Sequence, residues 1–335
     1  MPEKFMPKRI VRFPTFMRQA LALLVVVLGL GPAAVPASAA TTWFGTVGAQ
    51  SPDYSIQALA FLPNLFTVNV GDSITWTFPT DEPHTLTLGP APANPFGPQL
   101  CNGAAPVTAD FCDWNGVATA NSGIKDEGEK YTVKFNNIGS FTFYCLLHPA
   151  MTGTVRVQAA GSRYPETQTN YFAEGKRQEA QLLRRGSEMR GQEVFQSQFS
   201  AQDNRVIIGH GFETTNNGGR QSVLIARFFP RTITVNLGEE VTWSAQDPVS
   251  PHTVTFGVEP GNPVPPIGTD GPGHATLTAP YPTIFVGPTV SSGFLGQGQP
   301  SGTSFVVRFN AVGTYEYYCA LHDELGMVGT VKVIP

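Results

Sequence analysis

Charge is scarce along this chain. Asp, Glu, Lys and Arg together make up 14% of its 335 residues, and the formal net charge is −4. That balance provides no basic face, which argues against nucleic acid as a partner. Histidine is scarcer still, with six residues, alongside six Met and four Cys. Long apolar runs are nearly missing: beyond Ala20–Val35 no segment is apolar enough to span a membrane. What the chain has in quantity is turn formers, 35 Gly and 29 Pro, beside 41% hydrophobic residues. This is no disordered composition; it suits short strands joined by many turns. The length allows two or three ordinary domains.

The first 39 residues read as a secretory signal. Lys4, Lys8, Arg9, Arg12 and Arg18 make a basic start, Ala20–Val35 an apolar stretch broken at Gly31-Pro32, and Ala37-Ser38-Ala39 a small-residue cleavage site. The rival reading, an uncleaved anchor, asks for about 20 apolar residues, and the stretch is shorter. No Cys lies nearby to accept a lipid. Cleavage would leave 16 Lys+Arg against 24 Asp+Glu, a more acidic chain with no stable membrane insertion, in the periplasm or outside the cell.

The chain repeats itself. Ala60-Phe61-Leu62-Pro63 through Ile74-Thr75-Trp76 matches Arg227-Phe228-Phe229-Pro230 through Val241-Thr242-Trp243 at an offset of 167, and Val133-Lys134-Phe135-Asn136 matches Val307-Arg308-Phe309-Asn310 at 174. A period this long means tandem domains and not a solenoid. Within each copy apolar residues alternate. Phe141, Phe143 and Cys145 share one face, as do Tyr315, Tyr317 and Cys319; Val155 and Val157 repeat as Val331 and Val333. Alternation punctuated by Gly and Pro predicts half-buried strands in antiparallel sandwiches. The expected organisation is a signal at 1–39, a first domain at 40–160, a linker at 161–205 and a second domain at 206–335. The linker holds Glu179-Ala180-Gln181-Leu182-Leu183-Arg184-Arg185, which has helical propensity. Gly175, Gly186 and Gly191 predict that its helix is short, and the stretch reads as a solvated connector, with a docking site for a partner as the other reading.

The chemistry concentrates in two runs. Cys145-Leu-Leu-His148-Pro-Ala-Met151 closes the first copy, and Cys319-Ala-Leu-His322-Asp-Glu-Leu-Gly-Met327 closes the second. Each has a lone upstream His, His84 in Glu-Pro-His-Thr and His252 in Ser-Pro-His-Thr. A Cys ending a strand, with His and Met on the next turn, brings three donors together from one loop. A soft thiolate, two imidazoles and a weak axial thioether select mononuclear copper cycling between one-electron states. A lone buried Cys is usually a small core residue, but all four donor types in order, in both copies, are specific. The His on each turn, His148 and His322, is expected nearest the surface as the electron port. Thr85 and Thr253 follow the upstream His; their hydroxyls either bond across to the Cys loop or serve strand propensity alone. Cys101 and Cys112, left over in one loop of a chain read as exported, predict a disulfide. Phe111 and Trp114 flank Cys112, as a loop packed on its own disulfide or as a docking patch.

Both copies resemble cupredoxins, the blue type 1 copper proteins. The first run, C-x2-H-x2-M with Pro149, is amicyanin-like; the second, C-x2-H-x4-M in Tyr-Glu-Tyr-Tyr-Cys-Ala-Leu-His-Asp-Glu-Leu-Gly-Met-Val-Gly, is plastocyanin-like. The resemblance covers the strand before each upstream His and the C-terminal stretch of each copy, and leaves out 86–130, 254–305 and the linker. It implies an all-β fold of two tandem Greek-key β-sandwiches, two type 1 copper ions per chain, and single-electron exchange with redox partner proteins. The family's ligands fall on His84, Cys145, His148 and Met151, and on His252, Cys319, His322 and Met327.

Two domains of this kind also resemble the layout of copper nitrite reductases and multicopper oxidases. Nitrite reductases take a His just before the type 1 Cys, where this chain has Tyr144 and Tyr318. Multicopper oxidases use His-Cys-His, where Leu146 and Ala320 follow the Cys. Once the blue sites are filled only His210 and His274 remain, too few for a three-His centre. Copper storage is a third reading; it favours Met- or His-rich tracts, and beyond residue 39 only Met151, Met189 and Met327 occur. An electron carrier that is not an enzyme is the expectation.

Overall fold

The protein is described from a computed structural model, over residues 39–94, 96–104, 110–261 and 264–335. The signal reading at 1–38 lies outside the described residues. No helix among them is long and apolar enough to cross a membrane.

The two copies form two β-sandwiches that share a sheet. Ten strands run across it in the order His274–Leu277, Ser304–Phe309, Glu240–Ala245, Arg205–Asn216, Gly219–Phe229, Ile56–Leu62, Thr42–Gln50, Ser73–Thr77, Lys130–Phe135 and Phe111–Trp114. The first five belong to the second copy, the last five to the first. They meet where Gly219–Phe229 pairs antiparallel with Ile56–Leu62, with Val223 opposite Ala58 and Leu224 opposite Gln57. The repeat offset makes this pairing its own mirror. Ser222 sits opposite Leu59, and their counterparts in the other copies, Ser55 and Ala226, are joined by an Ala226 N–H to Ser55 carbonyl bond of 2.9 Å. A local two-fold therefore passes beside Gln57 and Leu224.

Each sandwich is closed by its own second sheet, of five strands including Gly139–Tyr144 and Thr152–Gln158 in the first copy, and of six including Gly313–Tyr318 and Val328–Ile334 in the second. The alternation in the sequence is the reason: Tyr131, Val133 and Phe135 are buried with exposed or half-buried residues between them. The cores repeat as well. Phe61 and Trp76 meet Phe143 edge-on or tilted at 4.8 and 5.3 Å, and Phe228 and Trp243 meet Tyr317 at 4.7 and 5.1 Å. Cys101 and Cys112 are bonded as a disulfide. Trp114 is buried against Phe135 and Phe141, so it belongs to the core, while Phe111 is exposed.

Between the copies the expectation of a short helix fails. A single helix of 33 residues spans Gln168–Ser200, capped by the Thr167 hydroxyl accepting from Asn170 N–H. Nor is it a free connector. Tyr171, Gly175, Gln178, Leu182 and Gly186 form a buried stripe at helical spacing. Leu182 packs with Ile56, Ala58, Val223 and Ile225 of the central strand pair. The glycines read as helix breakers are the contact points. A Cβ on Gly175 would stand 3.1 Å from the Leu62 backbone, and one on Gly186 would stand 2.6 Å from Ile56 Cγ2. Close approach to the sheet outweighs the propensity cost of about 1 kcal/mol per glycine. Gly191 meets nothing within 4 Å.

This account separates the glycines. Gly186→Leu should destabilise the fold by about 1–3 kcal/mol through overpacking, whereas Gly191→Ala should stabilise it by roughly 0.5–1 kcal/mol. Denaturant unfolding measures both; equal effects at the two positions would refute the packing account.

Candidate metal centres

Two groups of donors converge among the described residues: His84, Cys145 and His148, and His252, Cys319 and His322. In the first, Cys145 Sγ lies 3.9 Å from His84 Nδ1 and 3.5 Å from His148 Nδ1, and the two Nδ1 atoms are 3.1 Å apart. In the second the same distances are 3.9, 3.4 and 3.2 Å. All six side chains are buried. The loop geometry explains the convergence. Cys145 N–H donates to the Met151 carbonyl and Met151 N–H to the His148 carbonyl. Cys319 N–H donates to the Met327 carbonyl and Met327 N–H to that of His322. Met151 and Met327 are fully buried where these loops close.

Thr85 and Thr253 hold the loops to the opposite strand. Leu146 N–H donates to the Thr85 hydroxyl at 2.8 Å, and Ala320 N–H to that of Thr253 at 2.7 Å. The N–H groups of the same threonines point at the sulfurs, 3.4 Å from Cys145 Sγ and 3.3 Å from Cys319 Sγ. Of the two readings of these threonines, bonding across to the Cys loop is the one the structure contains.

Two features escaped the sequence reading. The first is a bulge glycine against each upstream imidazole. Gly48 and Gly209 interrupt the strand register and have φ of 80° and 59°. A Cβ there would stand 2.8 Å from His84 Nε2 and 2.2 Å from His252 Nε2. Only glycine takes that backbone and leaves room for the ring. The second is a pair of buried acids. Asp247 Oδ2 accepts from His252 Nε2 at 2.9 Å, and Glu82 Oε1 from His148 Nε2 at 2.9 Å. Their signal is an acid two residues before His84 and five before His252.

His148 and His322 are each nearer the surface than the upstream ring of their own centre, as expected, yet neither opens to solvent as a port. They are 4% and 3% exposed. Glu82 is the reason: while one oxygen takes the His148 bond, the other lies 3.9 Å from His322 Nε2. The turn imidazoles of the two copies face one another across one carboxylate.

Charge in the metal-free centres follows from burial and neighbours. Burial disfavours both thiolates, but the adjacent imidazoles outweigh it and push Cys145 and Cys319 well below the usual thiol range. Burial opposes a charge on His148, and the Cys145 sulfur and Glu82 overcome it, pushing its pKa up to about 10. His252 rises to about 9 against burial, through Asp247 and Cys319. Glu82 is held down to about 2 despite burial by the His148 bond and the charges of His322 and His148. The pocket thus favours the thiolate, the form that binds metal. Two ring nitrogens and a sulfur that turn lone pairs on one point are reconciled by a cation, and this soft, nitrogen-rich set fits copper. Each Nε2–H given to a carboxylate leaves Nδ1 free as the donor. His210 stands apart, 3.4 Å from Glu193, and His274 is exposed on the strand His274–Leu277.

Comparison with known proteins agrees. The sequence profile of copper binding proteins of the plastocyanin/azurin family matches residues 50–158 and 213–334. Chloroplastic plastocyanin from Tetradesmus obliquus is 33% identical over 103 residues, which is 30% of this chain and 60% of that protein, so the match spans under two thirds of the relative. Among solved structures, oxidised plastocyanin from Dryopteris crassirhizoma is 20% identical, covering 39% of this chain and 99% of the other, with a TM-score of 0.23. A reduced amicyanin mutant is 17% identical, covering 35% and 82%, also at 0.23.

The threonine clamp is testable without metal. Thr85→Val or Thr253→Val leaves a backbone N–H without its partner, and each should lower the stability of the metal-free chain by about 1–3 kcal/mol. Unfolding curves that coincide with the parent's would exclude the clamp.

Proposed function

The chain belongs to the plastocyanin/azurin family of copper-binding proteins, and from that premise we propose that it is an exported blue copper protein carrying single electrons through two type 1 centres. One observation carries the reading: a complete, buried His-Cys-His donor set recurs in both copies with distances that agree to 0.1 Å. In this proposal His84, Cys145, His148 and Met151 would hold one copper, and His252, Cys319, His322 and Met327 would hold another. Bound copper supplies a one-electron couple. The protein supplies a thiolate already favoured by its neighbours, rings fixed by Glu82 and Asp247, and loops clamped by Thr85 and Thr253. Donors held this firmly move little between oxidation states, which keeps reorganisation small.

Export is proposed from the basic start, apolar stretch and small-residue site within residues 1–39. The acidic balance after their removal favours a partner redox protein with a basic face. A carrier is favoured over a substrate-reducing enzyme because just two donor groups converge among the described residues. His210 and His274 belong to neither.

Metal analysis should return two coppers per chain, with an intense blue band in the oxidised protein. Cys145→Ser and Cys319→Ser should each remove about half of that band, since thiolate ligation makes a blue site. One copper, or a colourless oxidised protein, would defeat the proposal.

The carrier reading also predicts no catalysis. With an electron donor present the chain should neither reduce nitrite nor consume oxygen at a steady rate, while exchanging electrons with a small redox protein. Turnover abolished by replacing His210 or His274 would overturn it.

A further inference from the structure

We propose that Glu82 is an internal bridge through which the two centres pass electrons within one chain, an inference that rests on the carrier reading. Three observations carry it. The Nδ1 atoms of His148 and His322 face their own cysteine sulfurs at 3.5 and 3.4 Å, so the Nε2 edges face away from the two centres. Those two edges meet the same side chain, His148 Nε2 at 2.9 Å from Glu82 Oε1 and His322 Nε2 at 3.9 Å from Oε2. The junction is also closed, since Glu82, His148 and His322 are 6%, 4% and 3% exposed. Water is excluded from the gap, and a partner protein has little access to either turn imidazole.

The duplication shows that this arrangement is particular to one position. Glu82 stands two residues before His84, and the residue two before His252 is Ser250. Ser250 Oγ lies 3.4 Å from His322 Nε2, on the second centre's own side. The other buried acid, Asp247, is bound to His252 Nε2 and to Val249 N–H. Symmetry brings the two turn histidines together, and one carboxylate, supplied by the first copy alone, spans them. A buried carboxylate is costly unless hydrogen-bonded and paired; here it is held by groups from both copies.

The step is the transfer of one electron. It leaves one centre, which is oxidised by one unit, and arrives at the other, which is reduced by one. No bond breaks, and the Nε2 protons remain on their rings. A path of a hydrogen bond, one carboxylate and a short contact favours coupling over an open gap of the same length. The carboxylate charge also acts on both centres, favouring the more positive, oxidised state of each.

The test needs two distinguishable centres. Met327→Gln, by changing the axial donor, should give the second centre its own colour and potential. A substoichiometric pulse of reductant is then followed in this chain by visible absorption. The expected result is redistribution of the electron in a first-order phase whose rate does not depend on protein concentration. Glu82→Leu, which fills the space but bonds to neither ring, should slow that phase by about tenfold, equivalent to about 1.4 kcal/mol of barrier, the rate being read on variant chains that metal analysis shows to carry both coppers. Glu82→Gln removes the charge and keeps one acceptor oxygen, enough for the His148 Nε2–H bond, while the other oxygen becomes an amide donor; it should retain part of the rate and raise both potentials. Redistribution that scales with protein concentration, or an unchanged rate in Glu82→Leu, overturns the bridge. If Glu82→Leu fails to hold copper, Glu82→Gln decides, and a potential change confined to the first centre overturns it. A chain that binds no copper or is colourless defeats the carrier reading instead, a result separate from any of these.

Discussion

The antiparallel pairing of Ile56–Leu62 with Gly219–Phe229 is the contact on which the rest of the molecule depends. An unpaired sheet edge is a liability in each copy alone. Joined, the two edges satisfy one another and turn two sandwiches into one ten-stranded sheet. The helix Gln168–Ser200 then has a surface to cover, since Ile56, Ala58, Val223 and Ile225 point out of the sandwiches toward it. Gly175 and Gly186 are tolerated because the sheet is there to meet them.

The same pairing carries the hairpin of each copy across to the other. In the second copy, Arg220 N–H donates to the Thr152 hydroxyl, next to Met151, and the Asn216 amide oxygen accepts from the Asn64 amide. From the other side, Arg227 bonds the Asp53 carbonyl of the first copy and the Leu325 carbonyl inside the second metal-site loop. The first donor loop is thus braced by a contact crossing the junction, and the second by an arginine of its own copy that also reaches across it. Packing around the centres and packing between the copies form one network, in which polar groups are matched in place of being left to water.

Burial decides the electrostatics. Two thiolates, four imidazoles and two carboxylates lie where water barely reaches, and no single member would remain charged there alone. As a set, Cys145 and Cys319 are pushed toward thiolate and His148 and His252 toward the protonated ring, whose Nε2–H groups Glu82 and Asp247 take. His148 and His252 would hold a metal through Nδ1 while keeping their Nε2–H bonds to Glu82 and Asp247. Those two rings are already held in the orientation a metal would need, which would keep reorganisation small.

Local pattern made much of this legible. Alternation at Val133, Phe135, Phe143 and Tyr317 marks strands because side-chain direction in a strand has a period of two. The runs ending at Met151 and Met327 mark the donor loops because one turn can aim only nearby residues at one point. The spare Cys101 and Cys112 mark a disulfide by closeness in one loop. The remainder depends on partners far apart in the chain. Gly175 and Gly186 look like helix breakers until the sheet beneath them is known. Gly48 and Gly209 carry no mark until an imidazole from another strand lies against them. Glu82 reads as a loop acid, and His148 and His322 as surface ports, because nothing local tells that the copies turn their donor loops toward one another. Sequence determined the donor sets, since coordination is chemistry among residues held by one short loop and one strand. Only the tertiary structure decided that the two sets face each other across a single carboxylate, since that follows from which sheet edges pair.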